Sequence, residues 1–191
     1  MDSGSVTPRR RTWPQTKRFT GHNELVITVR PASESDGAAL ARIDLATWTS
    51  ATSPAAPPAD VGSYPFFENG AASSDVLTAE VDGVVAGYVR LRHPTLLPSN
   101  AHVLEVDGLA VDPARQGAGV GRHLVEAAVR KCSRRQARKL TLRVLSCNVG
   151  ARRLYESCGF VIEGVLRAEF LLGGRYVDDV LMARHLSEPV P

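Results

Sequence analysis

The stretch Leu109-Ala110-Val111-Asp112-Pro113-Ala114-Arg115-Gln116-Gly117-Ala118-Gly119-Val120-Gly121 carries the pattern best suited to chemistry. An apolar run ends at Val111, Asp112-Pro113 marks a turn, and Gln116-x-x-Gly119-x-Gly121 opens an amphipathic helix. Glycine lacks a Cβ, so the backbone can turn tightly there and approach a ligand closely. The first N–H groups of a helix have no intrahelical partner, and the helix dipole adds positive potential at the same end. Strand, glycine turn and helix start together make an anion site suited to a pyrophosphate. A Walker loop would end in Gly-Lys-Ser/Thr, whereas Gly121 is followed by Arg122-His123. A Rossmann turn would need Gly-x-Gly-x-x-Gly and an acidic residue closing a later strand; here the next strand ends in Ser146-Cys147. Both phosphate motifs are therefore excluded.

Metal and disulfide chemistry have no comparable pattern. Cys132, Cys147 and Cys158 are an odd count without CxxC spacing, and the five histidines show no HxxxH-type pairing. No metal ligand set is expected.

The elements that must position the glycine turn follow from periodicity. Residues 25–30 read as a strand, and Ser33-Glu34-Ser35-Asp36 starts a helix bearing Ala39, Leu40, Ile43 and Ala46 at helical spacing. Residues 50–72, rich in Pro, Ala, Ser and Gly around Tyr64, Phe66 and Phe67, read as a long loop with at most one short helix. Strands over 75–81 and 84–92 flank Asp82-Gly83, a strong hairpin signal. Residues 102–111 form a further strand in which Gly108 predicts a bulge. A helix over about 119–137 buries Val120, Leu124, Ala128 and Cys132. A strand over 140–147 precedes a short helix capped by Asn148 and ended by Gly159, and strands over 160–166 and 176–186 close the chain. The order β-α-loop-β-β-β-α-β-α-β-β is a mixed α/β (α+β) domain around one sheet.

On these residues the chain resembles the GCN5-related N-acetyltransferase (GNAT) superfamily. Gln116 to Gly121 is similar to its acyl-CoA signature Q/R-x-x-G-x-G/A. Asn148, Ala151, Leu154, Tyr155 and Gly159-Phe160 match N-x-x-A-x-x-L-Y-x-x-x-G-F, and residues 26–46 look like the family's opening strand and helix. The resemblance implies a splayed central sheet flanked by helices and acetyl-CoA as cosubstrate. It implies cofactor contacts from Leu109, Ala110 and Val111, with the N–H of Leu109 at the thioester carbonyl and that of Val111 at the pantetheine arm. The segment Gln116, Gly117, Ala118, Gly119, Val120, Gly121 and Arg122 would hold the pyrophosphate. Asn148 would bond pantetheine amides or cap its helix, and Arg152 (or Arg153) would meet CoA phosphates.

Two catalytic residues follow from the same resemblance. Glu105, four residues before Leu109, stands where a general base is placed; Asp107 lies two residues on along the same face, and Glu80 is a more distant contender. An amine with a pKa of about 10 must lose a proton before it attacks, which a carboxylate can accept directly or through water. Tyr155 would lie near the sulfur and protonate the departing thiolate. The implied function is acetyl transfer from acetyl-CoA to a primary amine of a small molecule, such as an amino acid or polyamine-like amine, in a ternary complex. The alternatives are a protein or peptide acetyltransferase, a Cys147 acyl-enzyme, and a non-catalytic acyl-CoA-binding module.

Charge and length narrow the partners. The 191 residues are 43% hydrophobic and 23% charged, ordinary for a folded chain, and no apolar run approaches the roughly 20 residues a membrane helix needs. The net charge of +3 resides in residues 1–24, which hold Arg9, Arg10, Arg11, Lys17 and Arg18 against Asp2 and Glu24. The expectation is a disordered basic tail over 1–24 and one domain over 25–187, in the cytoplasm, with neither membrane nor nucleic acid as partner. The basic run from Arg130 to Lys139 reads as a solvated helix face. A homodimer is compatible with the family, though no residue specifies an interface.

Overall fold

A computed structural model describes residues 25–56, 65–67 and 73–186. The expected basic tail lies outside the described residues, as do Tyr64 and much of the 50–72 loop. Among these described residues seven strands and three α-helices follow in chain order. They are β1 (Ile27–Pro31), α1 (Gly37–Thr47), β2 (Val76–Val81), β3 (Val84–Arg92) and β4 (Val103–Val111), then α2 (Val120–Arg134), β5 (Lys139–Leu145), α3 (Val149–Ser157), β6 (Val161–Leu172) and β7 (Arg175–His185). They form one sheet in the order β1-β2-β3-β4-β5-β7-β6. Among the described strands only β4 and β5 run parallel. This is the mixed α/β architecture expected from the element order.

Each face of the sheet has its own core. Val120, Leu124, Val125, Ala128 and Cys132 of α2 pack with Tyr155 and Cys158 against Val89, Leu91, Leu142 and Met182 on one face. Leu40 and Ile43 of α1 pack with Phe66, Val76, Tyr88 and Ala110 on the other. The i, i+4, i+8 spacing of Val120, Leu124, Ala128 and Cys132 is what turns one stripe of α2 inward. Phe66 is the part of the long loop that anchors: its ring meets Tyr88 at 4.7 Å and Phe67 at 5.1 Å, both edge-on.

The hairpin at Asp82-Gly83 is present, with φ of 52° and 80°, the left-handed pair that matches strand twist. At the N-terminal helix the chain first makes a 3₁₀ turn, Glu34–Asp36, before α1 begins. Buried Asp36 accepts the Ser33 N–H at 2.8 Å and faces the Arg30 guanidinium at 2.7 Å, which fixes how α1 leaves β1.

The last hairpin differs from expectation. β6 and β7 extend to Leu172 and back from Arg175, so the turn is Gly173-Gly174, both at positive φ. Two register shifts, between Ile162 and Gly164 and between Leu166 and Phe170, break the alternation that would have marked residues 167–172 as strand. Asp178 stabilises the second irregularity: its carboxylate accepts the N–H of Ala168, which sits at φ 52°, at 2.9 Å. The α2 helix is also shorter than expected, ending at Arg134.

Candidate active site

The bulge at Gly108 is where the sheet opens. Arg90 pairs with Gly108 and Leu91 with Val106, so Asp107 is the extra residue on β4. Parallel pairing of β4 with β5 runs from Val103 opposite Lys139 to Val106 opposite Leu142 and then stops, although β5 continues along β7 to Leu145. Beyond Val106 the two parallel strands therefore diverge. The Asp112 N–H donates to Ala86 O at 2.8 Å on the β3 side. Backbone groups alternate sides along a strand, so the Ala110 amide also faces β3, while those of Leu109 and Val111 face the gap. The Ala110 methyl lies in the α1-side core.

The turn after β4 is built to present backbone. Asp112 accepts the Ala114 N–H at 3.0 Å and meets Arg42 of α1 at 3.0 Å. The Ala114 N–H, then Arg42, hold its carboxyl below the ordinary range. Gln116 donates through Nε2 to the Val111 carbonyl at 3.2 Å. Gly117 and Gly119 have φ of 79° and 88°, and no side chain caps the helix at Gly119. An added Cβ at Gly117 would meet nothing within 4 Å. Gly121 answers a different need: a Cβ there would lie 3.0 Å from Leu154 Cδ2, so it lets α2 and α3 pack closely. The Arg122 side chain ties the same helices by donating to Ser157 Oγ at 3.1 Å. The amides of Val120, Gly121 and Arg122 begin the helix and have no intrahelical acceptor.

The gap opens into a cleft of about 650 Å³ that both Glu105 and Tyr155 line. Tyr155 is 7% exposed, with its ring 5.7 Å from Phe160. Burial, and secondarily Cys158, raise its phenol well above the ordinary value, so it stays a neutral proton donor. Asn148 also lines the cleft, and its Oδ1 caps α3 by accepting the Ala151 N–H at 3.1 Å. Arg152 points back to Ser146 O at 3.5 Å and to Glu156 at 3.9 Å. Arg153 is exposed.

Glu105 and Asp107 share a face, and both meet Arg92: Glu105 Oε2 at 3.0 Å from Nη2, and Asp107 Oδ1 at 2.8 Å from Nε. Arg90 adds a second contact to Asp107 at 3.0 Å. Glu80, the more distant carboxylate, is instead paired with Arg30 across β1 and β2. Across the gap Arg143 donates through Nε to buried Asp179 at 2.6 Å. Tyr88 donates to Asp44 of α1 at the same cleft. These arginines and Asp179 went unread in the sequence. The available signals were the alternation Tyr88-x-Arg90-x-Arg92 and a lone charge, Arg143, inside the apolar strand LTLRVL.

Among the described residues, no group of three or more His, Cys, Asp or Glu side chains is placed to hold a metal, and no helix is long and apolar enough to cross a membrane.

A sheet splayed between parallel strands, with a glycine turn leading from the splayed strand into a helix, defines an acyl-CoA transferase fold. Residues 39–160 match the model of the acetyltransferase (GNAT) family, and the chain belongs to that family. It is 36% identical over 112 residues to a phosphinothricin N-acetyltransferase of Alcaligenes faecalis, covering 58% of this chain and 56% of the relative. It is 31% identical over 109 residues to an L-amino acid N-acetyltransferase of Escherichia coli, covering 56% and 66%. The aligned part thus spans less than two thirds of either relative. The fold matches a solved phosphinothricin acetyltransferase of Sinorhizobium meliloti, in complex with acetyl-CoA, at a TM-score of 0.71 and 20% identity, covering 86% and 90%.

Proposed function

We propose that this protein transfers the acetyl group of acetyl-CoA to a primary amine of a small molecule, by direct attack in a ternary complex. The observation that carries this reading is the divergence of β4 from β5 after Val106. It leaves the backbone amides of Leu109 and Val111 facing the gap between the strands, and Leu109, Glu105 and Tyr155 line the cleft into which that gap opens. Acetyl-CoA fits these residues: the gap offers strand-edge donors, and the turn offers the uncapped amides of Gly117 to Arg122 to a diphosphate. Bound there, it supplies the acetyl group as a thioester.

The chain's own groups then have distinct tasks. The Leu109 N–H polarises the thioester oxygen, where negative charge develops, and such amides contribute several kcal/mol in a site shielded from water. The Val111 N–H holds the pantetheine arm, with the Asn148 amide beside it. Glu105 takes the proton lost by the acceptor nitrogen, directly or through water. Tyr155, kept neutral by burial, gives its proton to the departing sulfur. Kinship with acetyltransferases of phosphinothricin and amino acids supports a small acceptor.

Calorimetric titration with acetyl-CoA and CoA, followed by thiol release across a panel of small amines, tests the reading. Saturable binding of both and release with at least one amine is the expected result. Absence of binding by either coenzyme would remove its foundation.

A further inference from the structure

We infer that the acceptor carries an anionic group beside its amine, and that Arg143 is the residue that reads it. This rests on the acetyl-transfer reading for the amine's position and selects between zwitterionic and polycationic acceptors. The register places Arg92 opposite Glu105 and Glu105 opposite Thr141, so all three share a face. Arg143, two residues beyond Thr141 on β5, is on that face too. It therefore lies about 7 Å along and about 5 Å across from Glu105 at the backbone. Long side chains from those two positions converge on a ligand a few ångströms long.

Exposure decides which member of the Arg143–Asp179 pair a ligand meets. The Arg143 side chain is 49% exposed, whereas that of its partner Asp179 is only 3% exposed. Asp179 thus grips the guanidinium from behind, through Nε and Nη2, and leaves the outer edge towards the cleft. Among the described residues Nη1 has no partner. Glu169 stands 3.8 Å from Nη2, an ion-pair separation longer than a hydrogen bond. The same asymmetry recurs on the other side of β4, where Arg92 is 54% exposed and Glu105 10%. A guanidinium fixed by a buried carboxylate is pre-organised to take an oxyanion, carboxylate or phosphinate alike, by a charge-assisted bond.

The test is a matched series, L-leucine, L-leucinamide and 3-methylbutylamine, with 1,4-diaminobutane as the dication. Each is titrated calorimetrically into the protein with and without CoA, and each is assayed for thiol release with acetyl-CoA. Leucine should bind at least tenfold more tightly than leucinamide, and Arg143→Gln should erase that preference. The same variant should leave leucinamide within twofold and acetyl-CoA affinity unchanged. Because Arg143→Gln strands Asp179 in the interior, the double variant Arg143→Gln/Asp179→Asn repeats the measurement without a buried lone charge. Equal binding of acid and amide, preference for the diamine, or equal loss of acid and amide in both variants would overturn the assignment. Absence of thiol release with every amine would count against acetyl transfer alone, since the binding preference is read independently.

Discussion

Gly117 and Gly83 make a matched pair that separates backbone strain from ligand binding. Their φ values are 79° and 80°, and a Cβ added to either would meet no atom within 4 Å. Alanine at either position therefore pays only the left-handed backbone cost of about 1–2 kcal/mol. At roughly 2–4 °C per kcal/mol for a chain this long, both variants should melt about 2–8 °C lower. Their effects on acetyl-CoA should differ. The Gly117 methyl would project into open space at the turn that leads into α2, and relaxing the strain would turn the helix-start amides away. A hydrogen bond to a charged group is worth roughly 1.5–3 kcal/mol, so losing one weakens Kd about 10- to 100-fold. Gly83 lies in the β2–β3 turn outside the cleft, and its variant should bind acetyl-CoA within about twofold of the parent. Differential scanning fluorimetry and calorimetric titration on the two proteins supply both numbers. Equal Kd values, or equal losses, would refute the diphosphate cup at Gly117 to Arg122.

Tyr155→Phe should lower kcat by roughly 10²-fold with little change in acetyl-CoA affinity, because the ring still fills its place and only the proton donor is lost. A change under threefold in stopped-flow thiol release would remove Tyr155 from the mechanism. The same phenol bears on alkaline stability. Its folded pKa lies above the unfolded value, so it costs nothing below pH 10 and destabilises the fold as pH rises further, when only the unfolded chain ionises. Phe should flatten that alkaline limb in a melting-temperature profile. Asp36 behaves in the opposite sense. Arg30 holds its carboxyl well below the ordinary range, so its contribution is present above about pH 4 and fades as pH falls. Asp36→Asn should lose about 1–2 kcal/mol in urea unfolding at pH 7, a figure discounted for the exposed Arg30. It should lose progressively less towards pH 2; a constant difference across that range would contradict the linkage.

Much of the molecule is legible in local sequence. The Asp82-Gly83 turn, the apolar stripe of α2, the Asn148 cap and the glycine turn after Val111 each depend on neighbours within a few residues. Their signals survive in one dimension because the governing energies are local: positive φ, capping and helical period. Family motifs at Gln116–Gly121 and Asn148–Phe160 extended that legibility to the family itself.

What escaped has a common physical cause. Strand 167–172 was missed because bulges stabilised from another strand, by Asp178, interrupt its alternation. Gly121 sits in the glycine motif, yet its tight contact is with Leu154 on a different helix. The charge arrangement around Glu105 required β3, β4, β5 and β7 to be side by side before Arg92 and Arg143 could find Glu105, Asp107 and Asp179. Residues far apart in the chain interact only once the sheet sets their register. The sequence therefore determined the turn, the helices and their order, while the tertiary structure alone decided where β4 parts from β5 and which charges face the cleft.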